Sequence, residues 1–188
     1  MGPMERQREN QVIQSVLEGD KDAYAILVNI YKDRIFNLAY RMTGNYDDAS
    51  DLAQETFIRA FENLHRFDLE RPFFTWLYTI GLNIIRNHLK KDKRQRHHES
   101  GTVSDHGRYD TAGDPEGDAM TRENTQMIEQ CMEGLSAEMR EAVILRFFQD
   151  VSFDDMADIM GISSSAAKMR VYRGLERIAG CMKEGTEM

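Results

Sequence analysis

Ser165, Lys168, Met169, Tyr172 and Arg173 recur at helical spacing, so one helix face would carry a hydroxyl, two cations, a thioether and a phenol. Ser163 ends the turn before this helix and Ser164 opens it, while Ala167, Val171 and Ile178 fall on the opposite side. That set suits a DNA major groove, with cations for phosphates and shorter side chains for base edges. The preceding residues agree: a helical stretch Phe153 to Met160, then Gly161-Ile162-Ser163, then the helix from Ser164 to Ala179 spell helix, glycine turn, helix. Met156, Ala157 and Met160 are expected to pack on Ile162, Ala167, Val171 and Ile178. A purely structural helical hairpin has the same spacing, so the pattern alone leaves both readings open.

A second candidate surface lies between Arg86 and Arg96, where Arg86, Lys90, Lys91, Lys93, Arg94 and Arg96 are opposed by Asp92 alone. The chain as a whole has net charge −8 and an isoelectric point near 5.2. Two short basic stretches in an acidic protein fit local phosphate contact with little whole-molecule attraction. Ordinary solvated helix faces are the plainer alternative.

Such surfaces need rigid supports. The 188 residues are 41% apolar and 30% charged with three prolines, a globular composition. Apolar residues recur at helical spacing and strand-like alternation is scarce, so the pattern predicts an all-α protein. Helices are expected over Gln7 to Glu18, Lys21 to Met42, Asp47 to Leu64 and Phe73 to about Lys91, with a loop from His65 to Pro72. The second predicted face is Tyr24, Leu27, Val28, Tyr31, Ile35, Leu38, Ala39 and Met42, and the third is Ala49, Leu52, Ala53, Thr56, Phe57, Ala60, Phe61 and Leu64. Residues 97–124, rich in Gly, Ser, Asp and Thr, read as a flexible acidic linker. It separates a piece over 4–96 from one over 125–188, where helices are expected over Thr125 to Leu135 and Ala137 to Phe148, the latter capped by Ser136. Met1-Gly2-Pro3 reads as an expression remnant before a natural start at Met4.

Other classes find little support. Cys131 and Cys181 stand apart without a CxxC or Cys/His cluster, so free or buried thiols in a reducing cytoplasm are expected. No apolar run approaches a bilayer span and no signal peptide is visible. The histidines and carboxylates form no nucleophile or metal arrangement, and His97-His98-Glu99 lies in the polar linker, so no enzyme, metal or cofactor is expected. A regulator of the response-regulator or activator kind would need a sensing domain, for which the first piece has no α/β pattern. A pure adaptor would have no reason for the basic stretch.

The run Asp51-Leu52-Ala53-Gln54-Glu55-Thr56-Phe57-Ile58-Arg59-Ala60-Phe61, then Phe74-Thr75-Trp76-Leu77-Tyr78-Thr79-Ile80-Gly81-Leu82-Asn83, then the helix-turn-helix, in that order and divided by a polar linker, resembles a bacterial extracytoplasmic-function sigma factor over nearly the whole chain. The resemblance implies a region 2 domain, a linker and a region 4 domain, a cytoplasmic location, and partners in core RNA polymerase (the β′ clamp coiled coil and the β flap), promoter DNA and an anti-sigma factor. It assigns Asp51, Leu52, Gln54, Glu55, Phe57 and Ile58 to the polymerase clamp. It assigns His65, Arg66, Phe67, Arg71, Phe74, Thr75 and Trp76 to capture of a flipped minus-ten base, Asn83 to a neighbouring base, and Arg86, Asn87, Lys90, Lys91 and Arg94 to the backbone. Ser163, Ser164, Ser165, Lys168, Met169, Tyr172 and Arg173 then read the minus-thirty-five element. Many relatives have a basic residue at the position of Met169, an alanine at that of Gly174 and small residues in place of Glu70-Arg71-Pro72. Gly174 is expected to weaken its helix by up to about 1 kcal/mol relative to alanine.

Overall fold

The computed structural model describes residues 3–98 and 127–186, which fall in two compact units, Met1–Gly107 and Arg108–Met188. Among the described residues there is helix and no strand. The expected linker from residue 99 onward, and the expected helix start at Thr125, lie outside them.

In the first unit α1 spans Pro3–Leu17, α2 Tyr24–Thr43, α3 Tyr46–Asn63 and α4 Phe73–His98. The pattern starts α2 at Lys21, but Asp20 accepts a hydrogen bond from the Ala23 N–H and tightens Lys21–Ala23 into a 3₁₀ turn first. The expected face of α2 is buried except for half-buried Val28. Gly44, at φ 71°, ends α2 in the left-handed conformation, and the Asn45 side chain then accepts the Asp48 N–H at 2.9 Å to start α3. Asp47 and Asp48 lie in the first turn, at the positive end of the helix dipole. Phe61, expected inside, is exposed and meets the Tyr24 ring edge-on at 5.0 Å. The helix α4 runs past Lys91 and takes in His97 and His98, which composition assigns to the linker.

Tyr31 ties three segments of this unit together: its hydroxyl donates to the buried Glu9 of α1, and its ring lies 5.7 Å from Phe73 at the start of α4. Tyr24 likewise donates to the Phe57 carbonyl at 2.8 Å. Burial pushes the Tyr24, Tyr31 and Tyr78 phenols well above their ordinary range, so all three stay neutral at physiological pH.

In the second unit α5 covers residues 127–133, α6 Ala137–Val143, α7 Phe153–Met160 and α8 Ser164–Thr186. Ser136 caps α6 as expected, but the helix does not continue as α to Phe148: Ile144–Phe148 forms a π turn that buries Ile144 and Leu145 and leaves Phe147 and Phe148 exposed. Arg140 of α6 donates to the Met132 and Glu133 carbonyls at the end of α5, and its burial there lowers its pKa. Ser152 caps α7, Gly161 ends it at φ 68°, and Ser163 accepts the Ala166 N–H to cap α8. Met156, Ile159 and Met160 of α7 and Ala167, Val171 and Ile178 of α8 are buried, whereas Ala157, expected at the crossing, is half-buried.

The cysteines depart from expectation. Cys131 of α5 and Cys181 of α8 form a disulfide with Cα atoms 5.8 Å apart and 50 residues between them in sequence. Neither is a free thiol, and on the chain-entropy account a loop of that length is worth about 4 kcal/mol against the unfolded state.

Gly174 also acquires a reason. A Cβ at that position would stand 2.7 Å from Val143 Cγ2 and 3.6 Å from the Met139 carbonyl, so the glycine lets α8 lie close against α6. Valine is stiff at χ1 and cannot easily swing away. Despite its better helix propensity, Gly174→Ala should therefore lower the stability of the second unit by about 1–2 kcal/mol through overpacking. Val143→Ala should cost less in the Gly174→Ala background than alone, a coupling that denaturant unfolding of the four variants measures.

Candidate nucleic-acid interface

The connection between α3 and α4 is held from several sides. Phe67 N–H donates to the Leu64 carbonyl, Glu70 N–H to the Asp68 side chain at 3.0 Å and Arg71 N–H to the Asp68 carbonyl at 2.9 Å. Two side chains of α1 reach across: Asn10 Nδ2 donates to the Leu69 carbonyl at 3.1 Å and Arg6 to that of Glu70. Backbone polar groups of an exposed loop are thus tied to a helix, which limits the shapes the loop can adopt.

This arrangement leaves His65, Arg66 and Arg71 exposed, with Arg71 3.8 Å from Asp68. Phe67 is buried, its ring 5.5 Å from Phe73 and 5.2 Å from Trp76, and Trp76 and Phe73 are 5.7 Å apart. Trp76 is half-buried, as is Phe74, which meets Tyr78 edge-on. Thr75 is buried with its hydroxyl unpartnered, an arrangement that costs about 1–3 kcal/mol in a finished core.

Along α4, Asn83, Asn87 and Lys90 are exposed at positions i, i+4 and i+7, a single face, with Lys91 exposed beside it and Arg86 half-buried on its flank. Leu82, Ile84 and Ile85 hold the other face in the core. Arg94, exposed two turns beyond Asn87, continues the polar surface toward the helix end.

On α3, Asp51, Gln54 and Ile58 are exposed and Glu55, partly exposed, pairs with Arg59 one turn on. Leu52 and Phe57, assigned with them from the resemblance, are only 5% and 9% exposed and pack into the domain. Of the residues the resemblance assigns to the clamp, those exposed are therefore polar apart from Ile58.

In the second unit Ser163 and Ser165 hydroxyls lie 3.0 Å apart at the N-terminus of α8, Ser164 is half-buried, and Lys168, Met169, Tyr172 and Arg173 are exposed along one face. Met169 and Tyr172 are each more than half exposed, three residues apart on this face. Lys168 Nζ sits over the Phe153 ring at 5.5 Å, and the Arg146 guanidinium lies 5.3 Å from the same ring. The face of α7 thus steadies a cation of α8 through its π cloud.

Family models agree with this division. Sigma-70 region 2 matches residues 27–95 and Sigma-70 region 4 matches residues 125–178. The chain is 34% identical to the ECF RNA polymerase sigma factor SigW of Bacillus subtilis, over 88% of this chain and 92% of the relative. It belongs to the extracytoplasmic-function sigma factors. These are alternative sigma factors, DNA-binding initiation factors that direct RNA polymerase to promoters. The chain is also 31% identical to the RNA polymerase sigma-H factor of Pseudomonas aeruginosa, covering 92% of this chain and 93% of that one. The fold is shared with a solved structure of sigma factor RpoE from Bartonella quintana in complex with the anti-sigma factor NepR, at TM-score 0.72 and 23% identity over 85% of this sigma factor and 96% of that chain. CnrH, solved in complex with the cytosolic domain of CnrY, is similar at TM-score 0.69 and 22% identity, over 93% and 97%.

Arg6, Asn10, Arg146 and Phe153 were not legible as contributors to these surfaces. Their partners are remote in sequence or lie outside their own helix, and Asn10 and Arg6 precede the region 2 match altogether. Asn10→Ala should loosen the 68–71 segment, raising amide exchange at Glu70 and Arg71 while costing about 0.5–1.5 kcal/mol of global stability. Unchanged exchange at those amides would show that the tie to α1 does not shape the loop.

Proposed function

We propose that the first unit of this sigma factor melts and reads the minus-ten element and docks on the polymerase clamp, while the second reads the minus-thirty-five element. The observation that carries the reading is the division of α4 and α8 into buried apolar faces and exposed Asn/Lys/Arg-bearing ones. Unstacking a base costs a few kcal/mol, which a pocket and stacking surfaces must offset. The segment from His65 to Trp76 supplies the parts: exposed His65, Arg66 and Arg71 and half-buried Phe74 and Trp76, with Thr75 buried beneath them. Phe67 acts by supporting Trp76 rather than by stacking on DNA, because it is buried. Asn83 can pair bidentately with a base edge, and Arg86, Asn87, Lys90, Lys91 and Arg94 hold phosphates.

On α8, Lys168 and Arg173 take phosphates, and Ser165, Met169 and Tyr172 touch base edges or sugars, with Ser163 and Ser164 at the helix start where the dipole favours a phosphate. Polymerase docking falls to Asp51, Gln54, Glu55 and Ile58, with Leu52 and Phe57 holding the helix from within. The working compartment is the cytoplasm, and no helix of the described residues is long and apolar enough to cross a membrane. The chain acts without catalysis of its own, and an anti-sigma factor holds it inactive by engaging both units.

Transcription by purified core polymerase from a promoter library tests the assignment. Arg173→Ala should weaken all promoters and lower the salt slope by about one unit, whereas Met169→Ala should relax preference at one upstream position at a cost of about 1–3 kcal/mol. If neither variant, nor Lys168→Ala, alters activity or upstream preference, α8 is not the reader. Reversing charge at Glu55 and enlarging Gln54 should reduce core affinity without loss of helicity, measured by competition for core against the parent chain.

A further inference from the structure

The disulfide joins α5 to the far end of α8, where Cys181 lies about two turns beyond Arg173 and outside the residues assigned to DNA. Cys131 is 4% exposed, but Cys181 is exposed, and around its neighbour Gly180 nothing stands within 4 Å of where a Cβ would be. The Cys181 end of the bond thus lies at the surface of the second unit. The bond anchors the last described turns of α8. Past Ile178, Ala179, Gly180, Cys181, Lys183 and Glu184 are exposed and Met182 is half-buried, and a mid-helix glycine weakens that segment further. The bond closes a 50-residue loop that contains α6, α7 and the reading face of α8. In a reducing compartment, a surface-reachable disulfide is a transient, redox-sensing one.

We propose that Cys131–Cys181 is a reversible thiol–disulfide site that makes the region 4 domain responsive to the redox state of dithiols in the cell. The proposal rests on the cytoplasmic setting argued above. The partner is a dithiol reductant, either a small molecule or a protein with a pair of neighbouring thiols. One of its thiolates attacks the Cys181 sulfur, the S–S bond breaks, and Cys131 leaves as a thiolate that takes up a proton. The second thiol of the reductant, deprotonated, attacks the mixed disulfide and expels Cys181, which is protonated in turn. The reductant departs as a disulfide, having delivered two electrons, and an oxidised dithiol partner reverses the sequence. Reduction unties α5 from the end of α8, so both segments fray and the reader is less firmly held. The oxidised form is the one that recognises the upstream element best.

The test uses the full chain, purified without reductant, and dithiothreitol as the probe. Thiol alkylation followed by mass measurement should show both cysteines reduced under native conditions and re-bonded when dithiothreitol is replaced by oxidised glutathione. Amide exchange in residues 128–133 and 176–184 should rise at least tenfold on reduction, with α1 to α4 unaffected. Holoenzyme assembled with the reduced chain should transcribe a promoter that depends on the upstream element at least threefold less than with the oxidised chain. Cys181→Ser, at an exposed position, should match the reduced protein in both conditions. A bond that yields only after denaturation, that does not form in the purified chain, or whose loss changes neither exchange nor transcription overturns the proposal while leaving promoter recognition intact. Thiol cycling with the expected exchange but no transcription in either state would instead overturn the functional reading.

Discussion

A helix that offers one face to a nucleic acid has only the other face with which to be held. Both proposed readers, α4 and α8, obey this constraint. In α4 the buried side is Leu77, Tyr78, Leu82 and Ile85, and in α8 it is Ala167, Val171, Gly174 and Ile178, so neither exposed face can contribute to folding. Stability must then come from close packing on the inner faces, which explains why small residues sit there. Gly81 brings α4 against Thr56 of α3, where a Cβ would be 3.3 Å from the threonine methyl, and Gly174 brings α8 against Val143. In each case local helix propensity is given up for a close interhelical contact.

The first unit adds a second requirement, because its proposed reading surface includes a loop. Loops lack the internal hydrogen bonds that stiffen helices, and a flexible one would spend binding energy on its own ordering. Here the loop is anchored at its base by the Phe67, Phe73 and Trp76 rings and along its backbone by Asp68, Asn10 and Arg6. Tyr31 joins α1 to the start of α4 through Glu9 and Phe73, so the helix that holds the loop is itself fixed to the helix that follows it. The N-terminal helix, which carries no nucleic-acid signature, belongs mechanically to the proposed minus-ten surface.

The second unit meets the same need differently. Its helices are short, α6 having 7 residues and α7 having 8, and each buries little area alone. Caps at Ser136, Ser152 and Ser163 satisfy their first N–H groups, Arg140 satisfies the end of α5, and the disulfide closes the bundle. The ring of Phe153 then steadies Lys168 on the outer face without removing its charge from solvent. Lys168 is thus kept in place by a neutral partner in a small, acidic domain.

The all-helical class, the cap at Ser136, the glycine turn at Gly161 and the outward face of α8 could be read from the chain by itself, because helical periodicity and caps depend on residues within a few positions of one another. Family resemblance rested on equally local runs. What the chain did not disclose involves pairs remote in sequence: Cys131 with Cys181, Val143 with Gly174, and Asn10 with Leu69. Cysteine spacing without a metal or redox pattern says nothing of proximity, and a glycine inside a helical pattern looks like a weakness until the opposing surface is seen. Leu52 and Phe57 make the same point, since a motif marks a helix as functional but only the packing of α3 on its neighbours decides which of its side chains remain outside. Periodicity specifies how a helix divides its faces, whereas the distance between two helices is set by the side chains of both, and only the folded chain brings those together.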